Sequence, residues 1–80
     1  MSSIRKNFLV ELIKLDLRSR LSNTDKQDVA SALNISLPEA EAVAIGLEED
    51  GCIKTVGVGG NIVPTDKGRR LAADPNWESE

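Results

Sequence analysis

The sequence predicts a mainly α fold of the α+β class: a three-helix core, one small antiparallel β-hairpin and a short C-terminal helix. Three observations predict it. Apolar residues recur at helical spacing over 4–19. Two shorter helical runs meet at Asn34-Ile35-Ser36. A β-prone run from Cys52 is then broken by Gly59-Gly60-Asn61 before Ile62-Val63 returns.

The first helix carries more apolar surface than one buried face requires. At about 100° per residue, Ile4, Phe8, Leu12 and Leu15 form one stripe, and Leu9, Val10, Ile13 and Leu17 form another across the axis. Leaving four such side chains in water forgoes about 6 kcal/mol at the low end of their burial value. Two readings cover the second stripe. Either the C-terminal segment packs on it through Leu71, Ala72 and Trp77, or a second copy of the chain does so in a two-fold homodimer.

The second helix is expected to start near Thr24, whose hydroxyl can cap it. Asp25 and Asp28 place carboxylates in the first turn, where the helix dipole favours them. Val29, Ala30 and Leu33 share a face. Asn34 tolerates the left-handed conformation that ends a helix, and Ile35 turns back to the core. Ser36 caps a third helix, in whose first turn Pro38 is tolerated. Ala40, Val43, Ala44 and Leu47 form its buried stripe, and Asp50-Gly51 stops it.

The hairpin spans 52–65, with Ile53, Val56 and Val58 before the glycines and Pro64 at a strand end or edge. That Gly-rich stretch lacks the Lys-Ser ending of a nucleotide loop and reads as a turn. Thr65 opens the last helix, with Gly68 in its first turn.

Val29-Ala30, Leu33-Asn34-Ile35-Ser36, Leu47-Glu48-Glu49-Asp50-Gly51-Cys52-Ile53 and Pro64-Thr65-Asp66-Lys67-Gly68-Arg69-Arg70-Leu71 resemble the framework of winged helix-turn-helix regulators of the MarR and PadR kind. The resemblance runs over about 24–72. It implies a right-handed helical core, a two-stranded wing, frequent use on duplex DNA and a homodimer. It implies no target sequence.

Composition points to one domain over 1–73 followed by a loose acidic tail over 74–80. A single cysteine and no histidine exclude an internal disulfide, a conventional structural zinc site and Ser-His or Cys-His catalysis, so no metal, no cofactor and no enzyme activity are expected. There is no signal-peptide core and no apolar run near membrane-spanning length. A cytoplasmic protein without a membrane partner is therefore expected.

Charge separates the possible partners. Residues 1–20 hold five basic and two acidic side chains, 21–51 one and seven, 52–73 four and one, and 74–80 three acidic ones, for a net −3. In a helix-turn-helix the second helix enters the major groove. Here it carries Glu39, Glu41, Glu48, Glu49 and Asp50 without a lysine or arginine. A carboxylate about 4 Å from a phosphate costs about 1 kcal/mol in water and about 4 kcal/mol at a protein surface.

Two functions follow. In the first, a small winged-helix transcription regulator binds duplex DNA, with Lys54, Lys67, Arg69 and Arg70 on phosphates and Ser36, Glu39, Glu41 and Ala42 nearest the bases. In the second, a winged-helix module binds a protein partner through Ala42, Ile45 and Gly46, or through Leu9, Val10, Ile13 and Leu17, and the acidic helix leaves DNA alone.

Overall fold

The computed structural model describes residues 4–18, 24–56 and 60–77. The described elements are α1 (Ile4–Arg18), α2 (Lys26–Leu33), α3 (Leu37–Glu49), β1 (Ile53–Val56), β2 (Asn61–Pro64) and α4 (Asp66–Ala73). The fold is therefore mostly helical, with a two-stranded antiparallel sheet. Ser19, Val58 and Gly59, assigned above to the first helix and the hairpin, lie outside the described residues.

The start of α2 corrects the sequence reading. Asp25, not Thr24, is the N-cap: its carboxylate accepts the Asp28 N–H at 2.9 Å, and the Asp28 carboxylate accepts the Asp25 N–H at 3.1 Å. This reciprocal box satisfies two donors that the first turn would otherwise leave unpaired. Thr24 is buried instead, and its carbonyl accepts the Ile62 N–H at 2.8 Å, tying the entry of α2 to β2. Asp25→Ala is expected to cost about 1 kcal/mol, read as a lower denaturant midpoint with an unchanged slope.

Both α2 and α3 end the same way. Asn34 sits at φ 58°, and the N–H groups of Asn34 and Ile35 reach back to the Ser31 and Ala30 carbonyls. Gly51 sits at φ 78°, and the N–H groups of Gly51 and Cys52 reach back to the Glu48 and Leu47 carbonyls. In each case a left-handed residue turns the chain sharply and pairs carbonyls orphaned at the helix end. Ser36 then caps α3 immediately, so α2 and α3 meet through a three-residue turn.

The core is one cluster: Phe8, Leu9 and Leu12 of α1, Val29 and Ala30 of α2, Ala40, Ala44 and Leu47 of α3, and Cys52, Ile53 and Ile62 around the sheet. α1 touches α2, α3, β2 and α4, which makes it the centre of the packing. In the sheet, Ile53 faces Pro64 and Val56 faces Asn61, so Asn61 belongs to β2 and not to the turn.

α4 packs on α1 and β2, and its start ties down the segment that follows α3. The Thr65 N–H donates to the Cys52 carbonyl at 2.9 Å, the Thr65 hydroxyl to the Gly51 carbonyl at 2.5 Å, and the Lys67 ammonium to the Asp50 carbonyl at 2.7 Å. Three successive carbonyls after α3 are thus paired from one segment. Of the segment 74–80 expected as a loose tail, Asp74–Trp77 forms a turn with Trp77 packed against the core, and 78–80 lie outside the described residues.

Candidate functional site

The outer face of α3 is set by what its inner face buries. With Ala40, Ala44 and Leu47 turned inward, Glu41, Ala42, Ile45 and Glu49 emerge on the other side. Ile45 is 56 % exposed at the middle of this face, and Leu37, which the sequence reading did not assign to it, is 42 % exposed near its start. Gly46 is half-buried, yet a Cβ built there meets no atom within 4 Å. Gly46→Ala is therefore expected to raise stability by about 1 kcal/mol, measured as a higher melting midpoint.

The polar groups of this face are acidic or already engaged. The Ser36 hydroxyl oxygen accepts the Glu39 N–H at 3.3 Å as part of the helix cap. Glu39 and Glu41 are exposed, and Glu48 accepts a hydrogen bond from the Thr55 hydroxyl at 2.7 Å. Leu37–Glu49 contains no lysine or arginine. The face is a small apolar centre inside an acidic rim.

The cations assigned to phosphates do not all share one face: Lys67 and Arg70, three residues apart, leave the same side of α4, but Arg69 does not. Lys67 and Arg69 are two residues apart and so leave α4 about 200° apart. Lys67 reaches the end of α3, whereas Arg69 pairs with Asp16 of α1 at 2.9 Å. Lys54 is exposed on β1 opposite Val63, and Arg70 is exposed in the last turn of α4. Arg5 of α1 pairs with the Asp50 carboxylate, and Lys6 donates to the Asp74 carbonyl at 2.9 Å. Four cations thus act within the chain: Arg5, Lys6, Lys67 and Arg69. No sequence pattern announces these contacts, because Arg5–Asp50 and Arg69–Asp16 join residues 45 and 53 apart.

The second stripe of α1 divides three ways. Leu9 is fully buried in the chain's own core and offers nothing to a partner, contrary to its assignment above. The reason is angular: Leu12 lies between Phe8 and Leu9 around the helix at about 100° per residue, so all three share one arc. Val10 and Ile13 are half-buried and, with Lys14, Arg69, Ala72 and Ala73, line an open groove of about 240 Å³. Leu17 remains 73 % exposed. Leu71, Ala72 and Trp77 pack against the core cluster, so the C-terminal segment covers part of this side and leaves the groove and Leu17 open.

The chain matches no family model, no curated protein and no solved structure. Function must therefore be argued from its own surfaces. Among the described residues, no three His, Cys, Asp or Glu side chains are grouped to hold a metal ion, and no helix is long and apolar enough to cross a membrane. Cys52, the single cysteine, is fully buried where the chain leaves α3 for β1.

Proposed function

We propose that the chain is a winged helix-turn-helix domain that docks a protein partner through the outer face of α3. The element order, the three-residue turn between α2 and α3, and the sheet placed before the last helix support the winged-helix reading. The observation that carries the docking reading is the exposed Ile45, set among Ala42 and Gly46 inside an acidic rim on a helix without a cation. An apolar centre with a polar border is the ordinary anatomy of a protein-binding patch.

Duplex DNA fits this surface poorly. A phosphate must compete with the Asp50 carbonyl for Lys67 and with Asp16 for Arg69, which leaves Lys54 and Arg70 of the four cations first considered. Against them stand the exposed carboxylates of Glu39, Glu41 and Glu49, each costing about 4 kcal/mol within about 4 Å of a phosphate at a protein surface. The proposed role is non-catalytic. It is tested by titrating the protein into random duplex DNA at two salt concentrations. The expected result is no binding at either. Binding at low salt that weakens steeply as salt rises is the signature of phosphate contacts and overturns the docking reading.

A further inference from the structure

The same chain carries two exposed apolar features of opposite charge. The groove between α1 and α4 is lined by Lys14, Arg69 and the apolar side chains of Val10, Ile13, Ala72 and Ala73, with the Asp16 carboxylate paired to Arg69 beside it. Lys14 is exposed, whereas the charge of Arg69 is offset by Asp16. Arg18 stands one turn beyond Lys14, and exposed Leu17 one turn beyond Ile13. On α3, Glu41, Ile45 and Glu49 follow one another at four-residue intervals, so a carboxylate stands one turn to each side of the exposed isoleucine. Ala42 and Gly46 beside them add almost no bulk. The ridge is apolar with two negative shoulders, and the groove is apolar with a positive edge at Lys14.

We infer that the partner of the α3 face is a second copy of this chain, which receives Ile45 in its α1–α4 groove with a carboxylate of the ridge, Glu41 or Glu49, facing Lys14. This rests on the reading of α3 as a docking face, and charge complementarity chooses the occupant. The contact inferred is head-to-tail, with the ridge of one copy in the groove of the next. A head-to-tail pair leaves one ridge and one groove unfilled, and association continues beyond a dimer.

The test is sedimentation of the full chain over a range of concentrations at low and at high salt, with circular dichroism melts to show that each variant is folded. Ile45 and Lys14 are exposed, so Ile45→Asp and Lys14→Glu leave the core untouched. For wild type, the average mass is expected to rise past that of a dimer without a plateau and to fall back at high salt. Ile45→Asp is expected to stay monomeric, and Lys14→Glu to associate about tenfold more weakly, from like charges brought together. Mixed together, the two variants should form a 1:1 pair, because pairing uses the one sound ridge and the one sound groove that they have between them and leaves only the altered ones open. Wild type that stays monomeric throughout, a plateau at the dimer, association indifferent to Ile45→Asp, or a mixture that gains nothing would each overturn the inference. The DNA titration is independent of these outcomes: a monomer that ignores DNA defeats self-association alone, and salt-sensitive DNA binding defeats the docking reading itself.

Discussion

Phe8→Ala is expected to leave the protein largely unfolded at room temperature, or folded with a melting midpoint lowered by about 20 °C. The ring is fully buried, Phe8 is the only phenylalanine in the chain, and it sits on the helix that touches α2, α3, β2 and α4. Truncating a buried phenylalanine removes its transfer energy and leaves a cavity, together about 3–5 kcal/mol. Small domains hold only about 5–15 kcal/mol in total, so the loss is a large share of what exists. For a domain of this size each kcal/mol moves the midpoint by about 4–8 °C. Leu9→Ala and Leu17→Ala complete the experiment, since both leucines belonged to one stripe in the sequence. Leu9 is buried and should cost about 2–5 kcal/mol, whereas Leu17 is exposed and should stay within about 0.5 kcal/mol of wild type. Equal effects at 9 and 17 would mean that α1 is rotated from the orientation described.

Gly68→Ala is expected to lower the midpoint by about 10 °C, although alanine is the better helix former. A Cβ at Gly68 would lie 2.1 Å from the Cys52 carbonyl oxygen and 3.0 Å from its carbonyl carbon. Those are backbone atoms, with no rotamer to escape into, and the Cys52 N–H and carbonyl are fixed by the Leu47 carbonyl and the Thr65 N–H. Forcing extra bulk into a packed site costs about 1–3 kcal/mol, and a backbone obstacle places this one at the upper end. The helical preference for alanine returns about 1 kcal/mol, so the clash wins by about 2 kcal/mol. Gly46→Ala is the matched control, because it receives the same propensity gain in open space. A Gly68→Ala protein that melts with or above wild type would show that α4 does not lie against Cys52.

The local elements were legible because their signals are local. Asn34, Ser36, Pro38, Gly51 and Thr65 each act through their own φ, their own missing donor or a side chain reaching three residues ahead, and each stands where the sequence reading put it. The Thr24 error belongs to the same class. Thr24 and Asp25 are adjacent and both able to cap, and what separates them is the Asp25–Asp28 pair together with the claim of β2 on the Thr24 carbonyl. The α3 face was legible as well, since once three inward positions of a helix are known the outward ones follow.

What the sequence by itself determined is the periodic part of this protein: which residues turn inward on α2 and α3, where those helices stop, and that the outward side of α3 is acidic around Ile45. Only the tertiary structure decided which cations are engaged, that Leu9 belongs to the core while Leu17 does not, and that α1 and α4 enclose a groove edged by Lys14 and Arg69. The physical reason is range. Helix caps and amphipathic stripes are written within about one turn of chain, whereas a salt bridge from Arg5 to Asp50, a glycine pressed on a distant carbonyl or a groove between the first and last helices exists only after packing has brought remote segments together.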